Sequence, residues 1–166
     1  RSAHGLRSAV IPDNVNIISS RAFYGQQNLT EVVIPPSVHT IERTAFANCT
    51  ALKSIVIPDT VTTVENDAFR GCTGLESVVL PKHLDKLGTN VFSGCSALKS
   101  ITLPEDLEEI PDTLLYGCKS LERINIPNGV KRIGKQSFRA CKELDGVRLP
   151  DSVEEVGQGA FQGCSN

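Results

Sequence analysis

The chain repeats itself every 23 residues, and this period constrains its fold more than any other feature. A proline marks the same point of each repeat, at Pro12, Pro35, Pro58, Pro81, Pro104, Pro127 and Pro150. Each repeat takes the name of its proline, so six complete repeats run from Pro12 to Leu149, with a partial repeat on either side. This period is typical of solenoids, in which neighbouring coils bury apolar side chains that one repeat could not bury alone.

The segment before each proline has the pattern of a short strand. Inward apolar residues alternate with other residues there, as in Val32 and Ile34 or Ile55 and Ile57. A period of two places successive side chains on opposite faces of a strand. Proline then ends the strand because it has no N–H to donate to a neighbour. We therefore expect each strand to pair in parallel with the strands 23 residues away.

The middle of each repeat predicts a short helix or 3-10 turn that ends at a cysteine. Ala, Phe and Cys recur at i, i+1 and i+4, which places them on one face of a helical turn. We expect Phe46, Phe69 and Phe92 to be buried in the core. Gly88, Gly134 and Gly157 precede this segment and suggest a positive φ. The residues one position later are expected N-caps, among them Ser20, Asn66, Thr89 and Asp112.

Six cysteines follow the same period, at Cys49, Cys72, Cys95, Cys118, Cys141 and Cys164. A uniform spacing of 23 residues does not resemble a zinc motif, and a linear stack cannot surround a tetrahedral ion. The expected Cα spacing would allow disulfides, but parallel Cβ vectors do not give the required dihedral angle. We therefore expect free, buried thiols in one row and no metal site.

The motif LxxIxIPxxVxxIGxxAFxxC, from about Leu6 to Cys164, resembles the BspA-type leucine-rich repeat of bacterial and protozoan surface proteins. The resemblance implies a curved solenoid used in adhesion or protein recognition, outside the cell or on its surface. We predict an α/β repeat: a right-handed leucine-rich-repeat solenoid of about seven coils, forming one domain over residues 1–166. Local departures are Gln26 for the first Cys, Pro111 for Gly, and Leu114 and Leu115 for Ala and Phe.

Composition and motifs argue against several function classes. The net charge of −2, from 17 basic and 19 acidic residues, gives no bias toward nucleic acid or anionic membrane. No apolar run is long enough to insert into a membrane, and no nucleotide or zinc-hydrolase motif occurs. We expect no cofactor and no enzyme. The charged column of Lys86, Glu109, Arg132 and Glu155 should stack with alternating sign on a solvated face.

The outward side of the strands is the candidate binding surface for a protein ligand, such as a host or extracellular-matrix protein. The predicted partner-binding residues are Val10, Val33, Val56, Val79, Ser54, Ser77, Ser100, Thr102, Arg123 and Asn125. An exposed row of four valines with neighbouring hydroxyl groups suits a protein partner. The alternative interpretation is that valine is simply a good strand residue.

Two further functions stay open at the level of sequence. The array could be a structural spacer that holds another domain away from a surface, or it could regulate or target an attached enzyme. The partial repeats at both ends suggest a fragment of a longer protein. Sequons at Asn28 and Asn48 would matter only in a secreted eukaryotic protein, and the sequence does not decide whether either is glycosylated.

Overall fold

The structure, a computed structural model, describes residues 5–165 and contains twelve short strands in this range. In chain order they are β1 (Ser8–Val10), β2 (Ile17–Ile18), β3 (Glu31–Val33), β4 (Thr40–Ile41), β5 (Ser54–Val56), β6 (Thr63–Val64), β7 (Ser77–Val79), β8 (Lys86–Leu87), β9 (Ser100–Ile101), β10 (Glu109–Ile110), β11 (Arg132–Ile133) and β12 (Glu155–Val156). No helix occurs in residues 5–165, so the helical part of the predicted α/β repeat is wrong.

The strands form two parallel ladders. The first ladder contains β1, β3, β5, β7 and β9, the strands that precede the prolines, and the second ladder contains the other seven. Each ladder is interrupted once, between β3 and β5 in the first and between β8 and β10 in the second, so the strands form four sheets. Every pairing joins residues 23 positions apart, as Ser54 with Ser77 and Thr63 with Lys86. The predicted parallel solenoid is confirmed, with about six turns rather than seven coils between Ser8 and Val156.

The first ladder ends at β9, so the expectation of a strand before every proline is wrong for the last repeats. Residues 123–125 and 146–148 form no strand. Asn125 stands in the column that begins with four valines, and Gly146 stands in the column that contains Ser54, Ser77 and Ser100. Both residue types are depleted in strands, since neither supplies a branched side chain to pack against the adjacent coil. The pairing therefore weakens where the side chains favouring extended backbone disappear.

Stacked tight turns replace the predicted helical segments. In the Pro58 repeat, the amides of Asp67, Phe69 and Gly71 donate to carbonyl oxygens of the next repeat at 2.8 to 3.0 Å. The intervening amides of Ala68 and Arg70 donate to carbonyls three residues earlier. Asp67 and Gly71 have φ of +63° and +76°, and the same two positions have positive φ throughout the array. A helix needs its amides to bond within the segment, so this arrangement excludes one.

Gly88, Gly134 and Gly157 serve close packing between coils, not the positive φ that we predicted. A Cβ on Gly88 or Gly134 would lie 2.5 Å from the backbone nitrogen of Asn66 or Asp112, respectively. On Gly157 it would lie 2.7 Å from the backbone of the preceding repeat. These glycines therefore let the backbones of neighbouring coils approach each other.

The residues predicted as N-caps connect neighbouring coils instead. Asn66 Oδ1 accepts a hydrogen bond from the Thr89 amide at 2.9 Å, and Asp112 Oδ1 accepts one from the Lys135 amide at 2.8 Å. The Ser20 hydroxyl donates to the carbonyl of the next repeat at 3.1 Å. Each side chain satisfies a backbone group that the turn leaves free, which is the purpose that a cap serves in a helix.

The core is organised in columns along the solenoid axis. Phe46, Phe69 and Phe92 are fully buried, as predicted. Their rings stack almost parallel, with centroids 5.1 to 5.6 Å apart from Phe23 onward. Leu115 interrupts the stack, which resumes at 5.2 Å between the last two phenylalanines. Offset aromatic pairs add to the stability that burial provides.

The cysteine thiols are free and form the predicted row, buried except for Cys164. Each thiol donates to the carbonyl oxygen 26 residues earlier, as from Cys72 to Phe46 at 3.1 Å and from Cys95 to Phe69 at 3.3 Å. Cys164 is half-buried. The thiol is thus a small apolar group that also satisfies a buried carbonyl.

The Pro104 repeat departs from its neighbours in packing and in pairing. Leu114 and Leu115 are fully buried and occupy the places of Val91 and Phe92. Leu114 is larger than Val91, so it restores part of the volume lost at Leu115. At Pro111 the second ladder is interrupted, because β8 and β10 do not pair.

The interruption also divides the charged column. Lys86 pairs with Thr63 and has no strand partner in the Pro104 repeat, so the predicted continuation from Lys86 to Glu109 is wrong. The rest is confirmed: Arg132 lies between Glu109 and Glu155, 3.6 and 3.7 Å from their carboxylates. Because these groups are largely solvated, the pairs align the strands more than they stabilise the fold.

Candidate functional site

The valines of the first ladder point to solvent in a row. Val10, Val33, Val56 and Val79 have exposed fractions of 77, 49, 60 and 55%. Val10 pairs in register with Val33, and Val56 pairs with Val79. β3 lies beside β5, which joins the two pairs into one surface, although these strands do not form a ladder. We call these four residues the valine row.

Hydroxyl groups border the valine row on the same strands. Ser54, Ser77 and Ser100 are exposed and lie in register on β5, β7 and β9. Thr102 is exposed directly after β9. The surface therefore changes from apolar to polar along the solenoid.

The other two predicted site residues lie beyond the first ladder. Arg123 and Asn125 are exposed, but their segment is not a strand. The backbone therefore does not hold them as it holds the valine row. The structure brings eight of the ten predicted residues onto or directly after the first ladder and leaves these two apart from it.

A groove beside the valine row was not predicted from the sequence. It has a volume of about 550 Å³ and is lined by Val79, Leu80, Pro81, Thr102 and Pro104, among others. It lies where the chain leaves β7 at Pro81 and where it leaves β9 at Pro104. The two prolines at the ends of adjacent strands were the available signal, since neither can donate a hydrogen bond across the gap.

The chemistry of this surface suits recognition rather than reaction. Its polar groups are hydroxyls, and no acid or base lies on the strands beside the valine row except Glu31. Each of these strands pairs with a neighbouring coil on at least one side, so the side chains are held in place before any partner arrives. The row can bury apolar surface and offer hydrogen bonds at its edge.

Three of the buried thiols are poor nucleophiles. Burial raises the pKa of the Cys95 and Cys141 thiols to about 12, and it also raises the pKa of Cys118. A thiol reacts as its thiolate, so these groups stay inert near neutral pH. Among residues 5–165, no group of three or more His, Cys, Asp and Glu side chains is placed to hold a metal ion.

His83 has a carboxylate beside each of its two ring nitrogens. Its Nε2 lies 2.7 Å from Asp85 Oδ1, and its Nδ1 contacts Asp106 Oδ2. Hydrogen bonds to the two carboxylates raise the pKa of the imidazole, and the bond to Asp85 has a larger effect than the bond to Asp106. The ring is exposed and has no nucleophile beside it, so this cluster is not a hydrolytic site.

The two sequons lie in different surroundings. Asn28 is exposed. Asn48 is half-buried with a φ of +61°, and its amide donates to the Tyr24 hydroxyl at 3.3 Å. Asn48 thus occupies one of the turn positions that otherwise favour glycine. Within residues 5–165, no helix is long and apolar enough to cross a membrane.

Comparison with known proteins identifies the repeat. The family model of the BspA type leucine rich repeat region matches residues 2–112 and 39–166, with six copies. No protein with a curated description matches the chain.

Solved structures share the fold along nearly the whole chain. A leucine-rich repeat protein from T. pallidum is 32% identical with a TM-score of 0.90, and the match covers 98% of this chain and 78% of that one. One from Eubacterium ventriosum is 26% identical with a TM-score of 0.89, over 99% of this chain and 45% of its own length. A leucine rich cell surface protein from Faecalibacterium prausnitzii, 22% identical with a TM-score of 0.55 over 93% of this chain and 60% of that one, shares the fold alone.

The chain thus spans less than half of the Eubacterium ventriosum protein and over three quarters of the T. pallidum protein. The family match extends over both halves of the array, and its six copies agree with the repeats counted from the prolines. The chain belongs to the BspA-type leucine-rich repeat family.

Proposed function

We propose that this array is a non-catalytic protein-binding module that contacts its partner through the valine row. The observation that carries the proposal is the exposure of four valines in one row, on parallel strands that hold them in register two by two. Leucine-rich repeats generally mediate protein binding and are generally non-catalytic, which supports the same conclusion. The whole of residues 1–166 would act as one array.

The valine row has the extent of a binding centre. At the usual strand spacing its four side chains span about 15 Å. Contacts at the centre of an interface contribute most to affinity when water is excluded around them. Val33 and Val56 are the central members, while Ser54 and Ser77 would form part of the polar rim.

The proposed location is the cell surface or the extracellular space, with a host or matrix protein as ligand. The support is the family itself and the shared fold of a leucine rich cell surface protein from Faecalibacterium prausnitzii. A spacer with no ligand of its own is the competing interpretation. It differs in predicting that no face of the solenoid matters more than another.

The test measures binding to immobilised fibronectin, laminin and type I collagen by surface plasmon resonance. The double variant Val33→Lys and Val56→Lys should abolish the binding that the unmodified protein shows, because two central contacts would place charges in a desolvated interface. Each single change should weaken binding by about 1 kcal/mol or more.

Two control variants separate the valine row from general surface effects. Val156→Lys makes the same substitution at an exposed valine of the second ladder, and Glu109→Lys changes a charge on that ladder. Both should leave affinity unchanged. Binding that survives in the double variant, or that falls equally in the Val156→Lys control, would contradict the proposed surface.

A further inference from the structure

The seam between the Pro81 and Pro104 repeats lacks backbone hydrogen bonds that the other seams have. In neighbouring repeats, the amides equivalent to Pro111 donate across the second ladder, as from Gly88 to Val64 and from Gly134 to Ile110, both at 2.8 Å. Pro111 has no N–H, so the corresponding bond to Leu87 cannot form.

A second bond is missing at the same seam. The amides equivalent to Glu108 donate to the preceding coil, as from Asp85 to Thr62 at 2.8 Å and from Lys131 to Glu108 at 2.7 Å. The Glu108 amide makes no such bond to Asp85 in the part of the chain that the structure describes. The second ladder is therefore open at this seam, while the turns still join the two repeats.

His83 bridges the open seam with its side chain. Asp85 lies in the same repeat as His83, whereas Asp106 lies in the next one, at the equivalent position 23 residues later. Both ring nitrogens face carboxylate oxygens. An imidazole can donate from both nitrogens only when it is protonated. The bridge is thus complete only in the imidazolium form.

The charges around His83 strengthen its dependence on the proton. A groove of about 590 Å³ at the seam is lined by the charged residues Asp85, Lys86, Asp106, Glu108 and Glu109 together with His83. Four of these groups are carboxylates, and Lys86 is the one ammonium group in that lining. Lys82 and Asp59 lie nearby, joined by a bond of 3.0 Å from the Lys82 amide to Asp59 Oδ1. A neutral His83 would leave the carboxylates of the two repeats facing each other with less compensation.

We propose that His83 is a pH-sensitive clamp, which in its protonated form ties the Pro104 repeat to the Pro81 repeat where the second ladder is open. When the proton leaves, one ring nitrogen presents a lone pair to a carboxylate, and the bridge is lost. The seam then opens more readily on the side of the second ladder. The turns and the hydrogen bond from the Glu122 amide to the Lys99 carbonyl, 3.2 Å long, keep the two repeats connected.

The direction of the effect follows from the carboxylates. Because Asp85 and Asp106 raise the pKa of His83 in the folded protein, the clamp is fully present below the ordinary histidine pKa. It is lost as the pH rises through the raised value. Acidification therefore closes the seam, and alkaline conditions open it.

The experiment combines NMR titration with hydrogen exchange on the whole chain. The His83 imidazole should titrate above the ordinary histidine pKa, because both of its ring nitrogens contact carboxylates. The amides of Asn90 and Phe92 cross the seam to the Pro104 repeat, so their protection reports its opening. Between about pH 5.5 and pH 8.5, their protection, corrected for intrinsic exchange, should fall by about threefold or more.

Three comparisons decide the outcome. The amides of Phe138 and Ala140, which cross the seam between two repeats that contain no histidine, should keep constant protection. His83→Gln should remove the pH dependence at Asn90 and Phe92, and Pro111→Gly should reduce it by restoring a donor. His83 is exposed, so its replacement leaves the core intact.

The clamp is overturned by protection at Asn90 and Phe92 that does not change with pH in the unmodified protein. It is also overturned if His83→Gln responds as strongly as the unmodified protein, or if His83 titrates at or below the ordinary histidine pKa. Asp106→Asn keeps the contact but removes the charge, and it should lower the pH at which His83 titrates. An unchanged titration in that variant would equally contradict the proposal.

Discussion

Positive φ recurs at two positions of every turn, and the residues there meet this demand unequally. Gly71, Gly94 and Gly117 occupy one position without strain. At the other position, Thr44 and Thr113 have φ of +55° and +54°. Such a backbone costs a β-branched residue about 1 to 2 kcal/mol. The hydrogen bonds that their amides donate to the next repeat hold them there.

Ser137 is a second residue whose surroundings fit it poorly. It is fully buried in a column where Ala45, Ala68 and Ala160 stand in other repeats. Its hydroxyl has no hydrogen-bond partner among the described residues. Ser137→Ala should therefore raise the free energy of unfolding by about 1 kcal/mol or more, because an unsatisfied buried hydroxyl is removed without leaving a large cavity.

Guanidinium chloride unfolding measures this effect, and Ser152→Ala is the matched control. The Ser152 hydroxyl donates to the Val130 carbonyl at 2.7 Å, so its loss should lower the free energy of unfolding by about 1 kcal/mol. If both substitutions shift the midpoint in the same direction, the assignment of Ser137 as unsatisfied is wrong.

At the scale of the elements, the sequence predicted strands better than turns. Alternation at Ile55 and Ile57 has one interpretation, because period two belongs to extended backbone. The spacing of Ala, Phe and Cys has two interpretations, because either a helical turn or a tight turn with positive φ at some positions directs these side chains inward. The column of Gly or Asn directly before Cys, as at Asn48 and Gly71, was the signal for the turn.

The second ladder was missed because its strands have only two residues each. A segment of two residues shows no alternation, and β-branched pairs such as Thr40–Ile41 and Thr63–Val64 were the remaining signal. For the candidate site, alternation predicted which side chains face outward. It could not predict that Asn125 lies outside a strand, because that depends on pairing with the next coil.

The Leu114 and Leu115 pair can be tested as one packing unit. Leu115→Phe alone should destabilise the protein by about 1 to 3 kcal/mol, because Leu114 already fills part of the space for a ring. Adding Leu114→Ala should recover most of that loss and restore a phenylalanine stack from Phe92 to Phe138.

Thermal and denaturant unfolding of the two single variants and the double variant give the coupling free energy. The double variant should be more stable than the sum of the two single effects predicts, since both substitutions change one shared volume. Additive effects would show that the two leucines do not compensate each other.

At the scale of the whole molecule, the buried columns join the repeats into one continuous core. Leucine, phenylalanine and cysteine each occupy a row along the axis, broken at Leu115 in the phenylalanine row and beginning at Cys49 in the cysteine row, so most of these residues are buried by the same residue type in the next repeat. Nearest-neighbour contacts of this kind make stability depend on the interfaces between coils as much as on the coils themselves. The cysteine row is the column that can be titrated.

This row should make the protein sensitive to alkaline pH. Burial raises the pKa of Cys95 to about 12 from an ordinary value of 9.0. Between these values the unfolded chain loses the thiol proton while the folded chain keeps it, so the unfolded state binds fewer protons. The free energy of unfolding should then fall by about 1.4 kcal/mol per pH unit for each such thiol.

Urea unfolding between about pH 8 and pH 11, with reductant present, tests this against Cys95→Ala. The variant should be less stable at the lower pH, because it loses buried atoms and the bond to the Phe69 carbonyl. The free energy of unfolding of the variant should nevertheless fall less steeply with pH, because it lacks the contribution of one buried thiol. Cys164→Ala should alter the slope less, since that thiol is only half-buried. If the free energies of unfolding of the unmodified protein and Cys95→Ala fall in parallel with pH, the buried thiols do not control the alkaline response. If the two curves converge as the pH rises, ionisation of the thiols limits stability in the alkaline range.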